Sequence, residues 1–406
     1  MEFLKKYKLR YGTQFSDESH IKALDIRNSR MFYVVVILCY SCADFSQKIT
    51  NLAPDTLPPA NMSVKNTPQF IFIGSDDQRN YEGMENLLNM FKDYKNPQGK
   101  GQKATFDGEP VRFSFYSGSS YQTPELMGLH QRAFNEGHEI GLHTHSHPFL
   151  SSRQETIDEF SRNISEMTKV ITDDRGDTIR ALNASFLKGV RAPFLYVSDW
   201  VFDALDTLNL RYDCSLEEGM DTTIRSPNGF VWPYTADGGA SPGWIYLSDV
   251  MKSVPNRLLS HPGKWEIPAY PLFFIPDSLK EKYGITRPEY DANRHNRDMF
   301  NRRQKGEIGV SLDGKKLSGL DWDTWFIQNW TGDELAMTLL YNLELRLAGN
   351  RVPLTFCIHS RFYANEYPDH IYGLKKFIDM ALSFPEVRFV TGNQLIDWME
   401  NPVGLE

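Results

Sequence analysis

Cysteine is scarce in this chain, with Cys39, Cys42, Cys214 and Cys357 the only four among 406 residues. The single CxxC, Cys39–Cys42, has no partner pair, which excludes a thiolate zinc site. Four thiols also make no disulfide framework, so they leave the redox compartment open. Basic charge is short as well: 44 Lys and Arg against 52 Asp and Glu, a net charge of -8, with no long basic block. Nucleic acid is therefore a poor partner, because neutralising phosphates needs a basic surface. An acidic polymer is disfavoured for the same reason, and a neutral polymer stays open. No apolar run reaches the roughly 20 residues of a membrane-spanning helix, and no internal repeat is visible.

What the chain does have is aromatic side chains, 13 % of the total, and one dense run of imidazole. Exposed Trp and Tyr would suit the flat apolar faces of sugar rings, although many aromatics will simply fill a core. The length admits one large domain or two ordinary ones. Met31 to Cys42 is an apolar run of signal-peptide length, and Ser41-Cys42 faintly resembles a lipoprotein cleavage site. Export is expected: secreted, periplasmic or lipid-anchored at the cell envelope, with membrane attachment only through this N-terminal signal. The sparse cysteines fit a bacterial exported enzyme better than a disulfide-rich animal cuticle enzyme. Residues 43–67, with Pro54, Pro58 and Pro59, read as a linker. Residues 1–67 thus form an N-terminal extension, and 68–403 the folded catalytic unit.

Short apolar runs at 69–74, 111–116, 139–142, 187–190, 265–268, 354–358 and 387–390 read as strands. Helical patterns lie between several of them, at 125–136, 154–173, 198–208, 333–347 and 370–383. This alternation predicts an α/β barrel or open sheet, with chemistry just beyond the strand ends. Residues 275–330 break the rhythm and read as an insertion packed near the site.

Three strand ends carry the candidate chemistry. The first ends in Asp76-Asp77. The third is followed by Gly141-Leu142-His143-Thr144-His145-Ser146-His147. His143 and His147 stand four apart, a spacing that puts both on one face of a helical turn. His359 ends a later strand. If Asp77 joins His143 and His147, two imidazoles and a carboxylate suit a divalent metal with an open position, and zinc is the leading choice. Cobalt, nickel or manganese would accept the same donors. Asp76 could then serve as base and His359 as acid. Plainer readings stand beside these. Asp76-Asp77 could be a turn or a helix N-cap, His359 a satisfied core histidine, and Arg191 a surface ion pair. Cys357 beside His359 is rejected as a nucleophile, since strand neighbours point to opposite faces.

The ordered motifs carry a resemblance. Gly74-Ser75-Asp76-Asp77, His143-Thr144-His145-Ser146-His147, Arg191-Ala192-Pro193-Phe194, Trp265-Glu266-Ile267-Pro268 and Ile358-His359 follow one another as five motifs do in the polysaccharide deacetylase (NodB homology, carbohydrate esterase family 4) family. Within it the chain resembles the chitin deacetylase branch, from about residue 68 to 402. The resemblance implies a distorted (β/α) barrel. It also implies a hydrolase that removes N-acetyl groups from GlcNAc units of chitin, chitin oligomers or peptidoglycan. Asp77, His143 and His147 would hold the metal, Asp76 would be the base, His359 the acid, and Arg191 would aim Asp76. The Phe194 N–H, with the metal, would face the oxyanion. Pro193 and Trp265 join Phe194 as substrate-binding candidates. Trp232 and Trp325 are more often core, and Tyr196 and Asp199 are weaker candidates still. The chain departs from the usual pattern at Gly74-Ser75, where the family has Thr-Phe, and His145 has no ligand role. The rival functions are an inactive carbohydrate-binding relative, and an amide or O-acetyl hydrolase on another substrate. The partner is a GlcNAc-containing glycan, and a monomer is expected.

Overall fold

The computed structural model describes residues 48–241, 258–295, 309–311 and 313–406. The apolar run before Cys42 lies outside the described residues, so the export expectation rests on sequence alone. Among the described residues no helix is long and apolar enough to cross a membrane.

The described unit, Lys48–Glu406, is built on one curled sheet of half-barrel form. Its first strands are β1 (Gln69–Asp76), β2 (Ser114–Ser117) and β3 (Glu139–Leu142). A side ribbon of β4 (Ile171–Thr172) and β5 (Thr178–Arg180) follows. The sheet resumes with β6 (Gly189–Val190), β7 (Tyr212–Asp213), β8 (Tyr234–Thr235) and β9 (Trp265–Glu266). A second ribbon pairs β10 (Leu272–Phe273) with β11 (Lys316–Leu317), and the sheet closes with β12 (Leu354–His359) and β13 (Val387–Val390). The strand order is β12-β1-β2-β3-β6-β7-β9-β8, with β13 on the first half of β1. Within this sheet, among the described residues, the β8–β9 pairing alone is antiparallel. The expected distorted (β/α) barrel takes this form.

Helices α1 (Tyr81–Phe91), α2 (Pro124–Asn135), α3 (Arg153–Thr168), α4 (Asp199–Thr207), α5 (Gly332–Leu347), α6 (Pro368–Ala381) and α7 (Gly392–Glu400) fill the crossovers and the end of the chain. Their starts are written in sequence. Asn80 accepts from Gly83 N at 2.7 Å to cap α1. Thr331 with Glu334, and Thr391 with Gln394, form capping boxes on α5 and α7. Strand β1 shows why the sheet is buried on both faces. Ile71 and Ile73 join the larger core cluster, while Phe70 and Phe72 join a second, aromatic one with Tyr212, Trp232, Trp265 and Trp398. Alternate side chains of a strand point to opposite faces, so β1 stitches the two clusters together.

Residues 48–67 were expected to be a linker, yet they are laid along the folded unit. Ile49 N donates to Glu400 O at 2.8 Å, Trp232 N to Asp55 O at 2.7 Å and Leu405 N to Asn66 O at 2.8 Å. Proline fixes φ but leaves carbonyls and neighbouring N–H groups free to pair with another segment, which a composition-based linker reading overlooks. Within 275–330, Cys357 N donates to Gly319 O at 2.8 Å, so the stretch leading to Asp321 pairs with β12 beside the strand ends.

Candidate metal centre and catalytic cleft

Asp76 and Asp77 are consecutive but meet different surroundings. Asp76 is the last residue of β1, in register with His359 on β12, and is buried. Asp77 takes a left-handed backbone, φ 51°, which turns its carboxylate the other way, towards the histidines. Thr144 (φ 62°), His147 (φ 60°) and Phe194 (φ 61°) are left-handed too. Non-glycine residues in this region carry strain that the surroundings must hold in place.

Asp76 accepts from Arg191 Nη1 at 3.1 Å, and both side chains are almost wholly removed from water. Burial pushes the Asp76 carboxyl up from its ordinary value, against the opposing charge of Arg191 and His359. Arg191 loses solvation too, but Asp76 and its other neighbours hold its pKa well above the usual value, so it stays a cation. Its guanidinium also donates to Cys214 O at 3.0 Å and lies 4.7 Å from the Tyr116 ring centroid. Gly74 gives it room: a Cβ there would stand 2.7 Å from Arg191 Nη1. The departure at Gly74 thus has a physical reason in the guanidinium that lies against it.

One ligand atom from each of Asp77, His143 and His147 lies within 4.8 Å of the others. His147 Nε2 is 3.7 Å from Asp77 Oδ2, a separation wider than a hydrogen bond. His143 Nδ1 is 2.8 Å from Arg191 O, and only a protonated Nδ1 can donate to that carbonyl. The Nε2 lone pair of His143 is therefore left for the cluster, a common arrangement for a ligating imidazole. Burial lowers the pKa of both His143 and His147 to about 4. Desolvation works against ionising Asp77, but His143, His147 and Arg79 hold it below its ordinary value. Two neutral imidazoles and a carboxylate converging in this way fit a divalent cation.

The two histidines do not share a turn of helix, as their spacing predicted. The segment leaves β3 as a loop, bent at Thr144 and His147, with His147 N donating to Thr144 Oγ1 at 3.1 Å. Four-residue spacing is also compatible with a tight loop held by a threonine cap. His145 points elsewhere and bonds Ser119 Oγ at 2.9 Å, a structural role.

His359 is gripped from below. Asp321 Oδ1 lies 2.6 Å from His359 Nδ1, and Asp321 Oδ2 accepts from His359 N at 2.7 Å. Desolvation alone would lower the His359 pKa; the Asp321 charge and hydrogen bond outweigh it, and the pKa is raised. Sequence reading missed Asp321, whose only signal was its position in the aromatic stretch Asp321–Trp330. It also missed Arg79 and Tyr121, which hold Asp77 Oδ1 at 3.0 and 3.1 Å.

Pro193 is buried, while Phe194 is exposed and packs edge-on to His147 at 4.6 Å. Trp265 does not reach the cleft: it is 1 % exposed in the aromatic core cluster and offers no face to a substrate. A tryptophan on a short central strand is more readily spent on packing. Trp232 is buried with it, Trp325 stacks on His370, and Asp199 pairs with His261. Burial raises the Cys357 thiol to about 12, which disarms it.

The family model described as polysaccharide deacetylase matches residues 105–212, the stretch that holds β3 and its histidines. Over that stretch the chain is similar to polysaccharide deacetylases. The chain is 23 % identical over 356 residues to "Chitin deacetylase 8" of Bombyx mori, covering 86 % of itself and 74 % of that relative. It is 23 % identical over 354 residues to "Chitin deacetylase 1" of the same silkworm, of which it spans 54 %. Both relatives are from an animal, so the bacterial expectation gains no support. Among solved structures, the Xyl-CE4 domain of a xylanase from the hindgut metagenome of Trinervitermes trinervoides aligns at TM-score 0.36 and 9 % identity. That alignment covers 82 % of this chain and 91 % of the domain.

Proposed function

We propose that this chain is a metal-dependent hydrolase that removes N-acetyl groups from GlcNAc units of a glycan, chitin or its oligomers first and peptidoglycan next. The observation that carries this reading is the convergence, at the C-terminal ends of β1, β3 and β12, of a metal-type triad with a separately held base and acid. Asp77, His143 and His147 would hold the ion, zinc first. When bound there, a divalent ion polarises a carbonyl oxygen and lowers the pKa of a neighbouring water.

The other steps belong to the protein. Asp76, kept ionised and aimed by Arg191, accepts a proton from the attacking water as its oxygen bonds to the acetamide carbon. The Phe194 N–H faces the oxyanion that develops. His359, charged and oriented by Asp321, gives its proton to the amide nitrogen as the C–N bond breaks. The products are acetate and a glucosaminyl unit. Residues 68–403 form the catalytic domain in this reading, and the chain is exported.

Acetate release decides the matter. The zinc-loaded protein should liberate acetate from acetylated chitin oligomers, and a chelator should stop it. Asp76→Asn should stop it while the ion stays bound. If no acetylated glycan yields acetate at full zinc occupancy, the inactive carbohydrate-binding alternative replaces this reading.

A further inference from the structure

A cavity of about 380 Å³ opens at the start of β3, the end of that strand opposite the candidate metal centre. His138 precedes the strand and His143 follows it, so the two stand roughly 16 Å apart along it. The volume is at the small end of the range for small-molecule sites. Ile140, Leu182 and Leu187, all buried, give the cavity an apolar lining. Phe134 and Phe186 pack together at 5.0 Å at its rim, and Phe186 is 54 % exposed.

The polar lining is one-sided. Phe113 N donates to His138 Nδ1 at 3.1 Å, so that nitrogen is an acceptor and the ring proton sits on Nε2. His138 is only 5 % exposed. Burial, with the charges of Arg112 and Arg132, lowers its pKa to about 3 and keeps the ring neutral. Among the described residues nothing accepts from Nε2, on the edge of the ring turned away from Phe113. A buried donor without an acceptor is rare in a folded protein. Arg112 is the second donor. Its Nη1 donates to Glu136 O at 2.5 Å, and a Cβ on Gly137 would stand 1.3 Å from that same nitrogen. The bare glycine therefore makes room for the guanidinium. Among the described residues no carboxylate pairs with Arg112, and the Glu136 side chain is turned to Arg132 at 2.7 Å. The acid in the lining, Glu139, is already occupied. It accepts from Ser114 Oγ and Tyr212 OH at 2.8 Å each, and from Asn393 N at 3.1 Å.

We propose that this cavity binds a small carboxylate with an apolar body, aromatic or branched aliphatic. The Arg112 guanidinium and the His138 Nε2–H take the carboxylate, which supplies the acceptor and the negative charge that the lining lacks. The aliphatic lining and the Phe134–Phe186 rim take the body. Acetate would leave those walls uncovered, and a neutral amide would leave the Arg112 charge unanswered. The site stands apart from the hydrolase reading and does not depend on it.

The test is calorimetry on the full chain, stripped of metal by dialysis so that no ion competes for a carboxylate. The probes are 3-phenylpropionate, indole-3-acetate and 4-methylpentanoate, with acetate and 3-phenylpropionamide as controls. At least one probe should bind one site per chain, with Kd between about 10 µM and 1 mM. Both controls should bind about tenfold more weakly or worse. Arg112→Met should weaken the best probe about tenfold, and Arg112→Lys should restore part of the loss. Phe186→Ala, at an exposed position that folding tolerates, should weaken it about threefold. It carries the test should Arg112→Met fail to fold. Three probes without saturable binding at millimolar concentration overturn the proposal. So does an amide bound as tightly as its acid, or an affinity that neither Arg112→Met nor Phe186→Ala changes.

Discussion

Arg191 donates to Asp76 at 3.1 Å from a guanidinium lodged against Gly74, where a side chain would collide with it. In the proposed mechanism this pair fixes the direction of the Asp76 carboxylate, and the Arg191 charge opposes the rise that burial imposes on its pKa. Replacing Arg191 with Met keeps much of the volume but leaves a buried carboxylate alone. Its pKa must rise further, because burial already raises it and the opposing cation is gone. The acidic limb of the kcat/KM profile should move to higher pH, and activity near neutrality should fall about 100-fold or more. Gly74→Ala should show a milder version of the same shift. An Arg191→Met profile that superimposes on wild type would dissociate Arg191 from the base.

The ion should be lost with its carboxylate. Asp77→Ala leaves His143 and His147 as two donors, too few for a closed structural set and short of the usual catalytic three. Zinc at about 100 times its Kd should stabilise the wild type by about 2.7 kcal/mol, read as a rise in Tm. Asp77→Ala should show no such rise at the same concentration. A full rise in that variant would move the metal elsewhere.

His359 must be protonated to act as an acid. Its pKa is raised by Asp321, so activity is present below that value and lost as pH climbs through it. Asp321→Asn removes the charge while keeping the shape. The alkaline limb should retreat to lower pH, and kcat should fall more than KM changes. An unmoved alkaline limb would mean that another group donates the proton.

Stability should depend on pH at a second histidine, outside the proposed metal and acid–base groups. His261 bridges Asp206 at 2.7 Å and Asp199 at 3.0 Å. Burial lowers its pKa, but the two aspartates outweigh that and the folded value is raised. The contribution is therefore full below the unfolded value of about 6.5 and disappears as pH rises through the folded one. The advantage of wild type over His261→Gln in urea melts should shrink across that interval. A gap that stays constant with pH would show that packing alone sets it.

Much of this could be read from the residues. The strands leading to Asp76, Leu142 and His359, four helices to within two positions, and the grouping of Asp77 with His143 and His147 all follow from local pattern and motif order, whereas the helix expected over 154–173 stops at Thr168, before the β4 strand Ile171–Thr172. Asp321 was invisible because nothing local marks an aspartate that acts across 38 residues. Trp265 was misjudged because an aromatic in a motif looks the same whether it packs inward or faces substrate. The helical turn at 143–147 failed because spacing cannot reveal a positive φ.

The positive φ angles at Asp77, Thr144, His147 and Phe194 set two selections against each other. At each position a glycine would relax a conformation that costs on the order of 1–3 kcal/mol. Screening random variants for heat resistance alone should therefore enrich glycine or asparagine at these four places, and the survivors that have lost Asp77 or His147 should be robust and inert. Improvement of this protein for use would have to start from residues outside that set.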